Sequence, residues 1–129
     1  MTESTKHCLS LPSTEVANEL WEILVPTVRN DGRAIHTRFH RVWDSKVRAI
    51  SGGLTILTPV KGQWVSPSKD LFKERMIPVR ISATRAEIDQ IIDMTLKYYE
   101  QEVVMCYRIS DLVIMRAAKT KKSNQNAAL

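Results

Sequence analysis

Cysteine is scarce in this chain: Cys8 and Cys106 are the only two in 129 residues. Neither a disulfide framework nor a paired-cysteine metal knuckle can be built from them, and Cys106, inside an apolar run, reads as a small buried hydrophobe. Long apolar runs are missing too, since none approaches the roughly 18 to 20 residues that a membrane-spanning helix needs. The opening MTESTKHCLSLPSTE has neither the basic start nor the apolar stretch of an export signal. These absences predict a cytosolic chain with no membrane partner. Glycine is sparse, at four residues, and the pair Gly52-Gly53 follows a helical pattern instead of opening one. That excludes a dinucleotide fingerprint or a phosphate loop. His36 and His40 stand four apart, as in a zinc-binding HEXXH helix, but the intervening residues lack the glutamate, and Arg38 and Arg41 would repel a divalent cation. No cofactor and no metal is expected.

What is present is an ordinary globular composition, 43% apolar and 26% charged. The length suits one hydrophobic core, and the expected division is a flexible leader over 1–18, a single α+β domain over 19–116 and a disordered basic tail over 117–129. The net charge of +5 favours polyanions without amounting to a nucleic-acid signature.

Alternation of apolar residues predicts a first strand from Glu19 to Pro26, and Asn30-Asp31-Gly32 predicts a turn. From Ile35 the apolar positions Ile35, Phe39, Val42, Trp43, Val47 and Ile50 recur at helical spacing, which leaves Arg38, Arg41, Asp44 and Arg48 on the wet face. Gly52 and Gly53 should end that helix. Leu54 to Pro59 reads as a second strand, Val60-Lys61-Gly62 as a bend, and Ser66 to Asp70 as the turn of a hairpin. The returning strand, Leu71 to Ser82, contains Pro78, which cannot donate a ladder hydrogen bond and so predicts a bulge or an unpaired stretch. Thr84-Arg85-Ala86-Glu87 is a capping box that opens a second helix with the stripe Ile88, Ile91, Ile92, Leu96 and Tyr99. A last strand is expected over Val103 to Ile109, with Leu112 to Arg116 extending it past a bulge or forming a further strand. The order is that of a ferredoxin-like βαββαβ domain, two helices on one face of an antiparallel sheet.

Trp43, Gly53-Leu54-Thr55, Gly62-Gln63-Trp64, Glu74-Arg75, and Gln101 with Val104 following together resemble the uncharacterised bacterial family called domain of unknown function 3574, over Leu20 to Ile109. Members of that family are often exported and carry prolines and an aromatic ahead of the Gly-Leu-Thr, where this chain has Arg48 to Gly52. The resemblance implies the fold and no particular activity.

Strand alternation sets Glu22, Glu74, Arg80 and Arg108 on the face away from the helices, together with Leu24, Met76 and Cys106. Charges among apolar groups call for water or a partner. One reading is a homodimer interface with Glu to Arg pairs across it. Another is a small-molecule pocket lined by Trp64, Glu74, Arg80, Gln101 and Arg108, in which Glu74 or Gln101 orients a polar group and Trp64 is the apolar wall. If the protein were an enzyme, it would be a cofactor-free isomerase or lyase with Glu74 as general base, raised in pKa by Phe72 and Met76. A third reading gives Arg38, Arg41 and Arg48 to the phosphates of a nucleic acid, although Trp43, on the apolar face, belongs to the core. The leading expectation is a small homodimeric binding or interaction module.

Overall fold

The computed structural model describes residues 15–119. The sequence readings of 1–14 and 120–129 lie outside the described residues. Strand β1 (Glu15–Pro26) starts inside the stretch read as leader, because Glu15 to Asn18 pair with Val113 to Arg116 at the other end of the chain. Helix α1 (Thr37–Ser51) follows a turn held open by Gly32 at φ +87°. It ends as the glycine pair requires. Gly52 adopts the left-handed conformation at φ +93°, and its N–H bonds the Arg48 carbonyl at 2.9 Å.

The second strand is shorter than its sequence suggests. Strand β2 holds only Thr55–Ile56, and the chain re-enters the sheet as β3 (Val60–Val65), so the expected bend at Val60-Lys61-Gly62 is instead strand paired with Met76 to Glu74. The turn over Ser66 to Asp70 is present, with the Ser66 N–H bonded to the Asp70 carbonyl. Strand β4 (Leu71–Ala83) then returns through the middle of the sheet. Its Pro78 causes no bulge on the β1 side, where Leu24 lies opposite it in unbroken register. The proline's other side faces the gap between β2 and β3, where its carbonyl accepts the Leu57 N–H at 2.9 Å. Because the N and C=O of one antiparallel residue point to the same side, the missing donor falls in that gap, which is the unpaired stretch expected.

Helix α2 (Arg85–Tyr98) opens on the complete capping box: Thr84 Oγ1 accepts the Glu87 N–H at 3.1 Å and Glu87 Oε1 accepts the Thr84 N–H at 2.9 Å. Such a cap contributes about 1 kcal/mol. Strand β5 (Cys106–Arg116) is one continuous strand with register shifts opposite Asn18 to Trp21, so Leu112 to Arg116 does extend it past a bulge. Val103 to Met105 precede it.

The antiparallel sheet runs β5, β1, β4, with β2 and β3 end to end along the outer edge of β4. Both helices pack on one face of it. Trp21, Ile23 and Val25 of β1, Val79, Ile81 and Ala83 of β4, Trp43 and Val47 of α1, and Ile88 and Ile91 of α2 form the core. This is the ferredoxin-like βαββαβ arrangement. No helix among the described residues is long and apolar enough to cross a membrane.

Candidate functional site

The face of the sheet opposite the helices carries one organised polar cluster. Glu22, in the central strand β1, is only 8% exposed. Arg80, its register partner on β4, donates from Nε to Glu22 Oε1 at 2.9 Å, and Tyr107 of β5, its partner on the other side, donates its hydroxyl to Glu22 Oε2. The Tyr107 bond, opposed by burial and assisted by Arg80, holds the Glu22 carboxyl below its ordinary pKa. The same bond raises the Tyr107 phenol. Both oxygens of the Glu22 carboxylate are therefore engaged inside one chain.

The pairing with β1 gives the first residues of β5 the faces opposite to those expected. Arg108 lies opposite Trp21, on the helix side of the sheet, and its Nη1 bonds Glu19 Oε2 at 2.7 Å. Cys106 lies opposite Ile23 and packs against the core, where burial pushes its thiol up to about 11. Tyr107, absent from the sequence reading, takes the open face in their place. Alternation alone could not have found it, because a one-residue shift of register flips every side chain.

Trp64 and Glu74 do meet. They sit on the β3–β4 hairpin beyond the helices, where Trp64 Nε1 donates to Glu74 Oε2 at 2.5 Å and the indole stacks on Phe72 with ring centroids 4.7 Å apart. Glu74 is exposed, as is Phe72, so the apolar burial expected around its carboxylate is not provided within one chain. Gln101 joins a different assembly. Its Nε2 donates to the Tyr99 carbonyl at 3.3 Å and to Asn30 Oδ1 at 3.4 Å, bracing the loop after β1. Trp64, Glu74, Arg80, Gln101 and Arg108 thus do not line one pocket.

On α1, Arg38, Arg41 and Arg48 are exposed, while Trp43 is 1% exposed and donates from Nε1 to Thr95 Oγ1 at 2.9 Å. Trp43 is core, as its place in the apolar stripe predicts. His40 is tied to Tyr99, Nδ1 to hydroxyl at 2.6 Å, and burial holds its pKa below the ordinary value against the pull of Asp44. Among the described residues no three His, Cys, Asp or Glu side chains are gathered as a metal site would need.

Sheet order and helix placement define the chain as a ferredoxin-like α+β protein, and solved structures of the same fold are similar to it. A phage SAM lyase in complex with S-methyl-5'-thioadenosine superposes with a TM-score of 0.57 at 12% identity, over 81% of this chain and 93% of that one. CutA1 from Oryza sativa gives 0.54 at 9% identity over 86% and 89%, and the divalent cation tolerance protein CutA1 from Thermus thermophilus gives 0.52 at 9% over 86% and 93%. No family model matches the chain, and no curated protein sequence matches it. At such identities the likeness is one of fold.

Proposed function

We propose that the protein is a small cytoplasmic binding or interaction module that works as a homo-oligomer, the homodimer being its smallest form. The observation that carries this reading is the apolar dress of both outer strands. On β3 and the start of β4 the side chains of Val60, Trp64, Val65, Leu71 and Phe72 are exposed, and on β5 so are Ile109, Leu112, Ile114 and Met115. Edge strands of stable monomers are normally charged, short or covered, and apolar patches of this kind mark association surfaces. Size-exclusion chromatography with light scattering is expected to give at least twice the mass of one chain. The double substitution Ile109→Lys with Ile114→Lys should return it to the single-chain mass with the helical circular-dichroism signal intact. A clean monomer of the unaltered protein at micromolar concentration would overturn the reading.

A second reading rests on the Trp64 to Glu74 hydrogen bond, which fixes a carboxylate against an aromatic wall as a cofactor-free lyase using Glu74 as base would need. The fold likeness to a SAM lyase bound to S-methyl-5'-thioadenosine makes that nucleoside the probe to use. Calorimetric titration with S-methyl-5'-thioadenosine should then show saturable binding that Glu74→Gln weakens at least tenfold while the oligomer mass stays unchanged. Equal binding by both proteins, or none by either, rejects the carboxylate as a ligand-site residue.

A further inference from the structure

The helix layer does not cover the core side of the sheet completely. Ile56 of β2 lies opposite Val79 of β4, on the face that carries the core, yet it is 54% exposed while Val79 is 1% exposed. The second strand is short: after Thr55–Ile56 and the Leu57 N–H bond to Pro78 the chain does not pair with β4 again until Val60. A cleft of about 320 Å³ opens there, at the lower end of the volumes found for small-molecule sites. Its floor and one wall are apolar, formed by Val25, Trp43, Ile56, Ile77 and Val79; the opposite wall is the α1 stripe Thr37, His40, Arg41 and Asp44. That stripe is a single helical face, its members three, four and seven residues after Thr37.

The polar wall is unevenly occupied. His40 is engaged through Nδ1 by Tyr99, and Asp44 interacts electrostatically with His40 and Arg48. The Arg41 guanidinium has neither an ion pair nor a hydrogen bond among the described residues. A cation at the mouth of an apolar cleft is matched by an anion on an apolar body. The adjacent Asp44 carboxylate restricts the charge that can be accommodated, disfavouring a polyanion.

We propose that this cleft between α1 and the β2 edge of β4 is a binding site for a small amphipathic monoanion, a flat apolar body lying against Ile56 and Ile77 with one carboxylate on Arg41. The site is separate from the open-face cluster and from the Trp64 to Glu74 hairpin.

The test is a methyl and indole NMR titration of the full-length protein with 2-naphthoate, alongside the uncharged 2-naphthalenemethanol. Saturable shifts are expected for the methyls of Val25, Ile56, Ile77 and Val79 with naphthoate. Arg41→Ala should weaken naphthoate roughly three- to fivefold, the ratio for one solvent-exposed ion pair, and leave the alcohol unchanged. Ile56→Ser, at an exposed position that folding tolerates, should weaken both. No saturable shift at millimolar naphthoate, shifts centred on Trp64 or Tyr107 instead, or affinity indifferent to Arg41→Ala would each overturn the proposal. In the last case the arginine stem serves as a cover for Ile56 rather than as an anion contact.

Discussion

Trp43→Ala is expected to destabilise the fold by about 3 to 5 kcal/mol, the range for emptying a buried tryptophan site. The loss has two parts. The ring fills the space where α1 meets α2 and the sheet at 1% exposure, so its removal leaves a cavity among Val47, Ile91 and their neighbours that the rigid helix layer can only partly close. Its Nε1–H also occupies Thr95 Oγ1, whose own proton goes to the Ile91 carbonyl at 2.6 Å. A domain of this size has about 5 to 15 kcal/mol in total, so the variant should sit at the edge of folding. Trp43→Phe separates the parts: it keeps most of the apolar area and should cost clearly less, since Thr95 retains its bond to Ile91. Equilibrium urea denaturation of both variants measures the difference. A Trp43→Ala unfolding free energy within about 0.5 kcal/mol of the parent's, the usual size of a surface substitution effect, would contradict the packing described.

The second large effect is expected at Glu22. Glu22→Ala removes an acceptor for two donors at once, but Arg80 is about half exposed and Tyr107 also reaches solvent, so both can turn to water. The cost is therefore expected near ~2 kcal/mol, below the roughly 3 to 5 kcal/mol for stranding a fully buried partner. The pH dependence follows from the sign of the shift. The folded-state pKa of Glu22 lies below its ordinary value of 4.5, so this group's contribution is complete above about pH 4.5 and is lost as the pH falls through the lower, folded value. Unfolding free energies measured at a series of pH values should decline below about pH 4.5 in the parent protein and decline less in Glu22→Gln. A Tyr107→Phe variant should recover part of that difference, because the Tyr107 bond is the largest cause of the shift. Parallel pH curves for all three proteins would mean that the cluster contributes no acid sensitivity.

The helices were readable because their signals are local. The Thr84 to Glu87 capping box and Gly52 act within four residues of the backbone they satisfy, and the structure places them as the sequence requires. Individual positions departed where the third dimension decides. Val42 falls in the apolar stripe of α1 but is exposed, while Thr95, polar by composition, is fully buried because it bonds both Ile91 and Trp43. The site was less legible than the fold. Which face Cys106, Tyr107 and Arg108 take depends on their register against β1, near the opposite end of the chain, and no periodicity within β5 records it. The cleft beside α1 left a faint trace in the helical spacing of Thr37, His40, Arg41 and Asp44, which reads equally as a solvated face until the shortness of β2 is known.

The split between β2 and β3 bears on how this sheet meets strangers. An uninterrupted edge along all thirteen residues of β4 would offer a long template of free amides and carbonyls to any extended peptide. Instead the outer edge is divided by Leu57 to Pro59 beside Pro78, into a piece of two residues and a piece of six. An added strand that follows one piece loses its ladder at the gap and must begin again on the other. The discontinuity limits promiscuous strand addition on this side to a length at which backbone bonding is weak, and leaves the six-residue piece, with its Trp64 and Val65, as the segment where recognition must come from side chains.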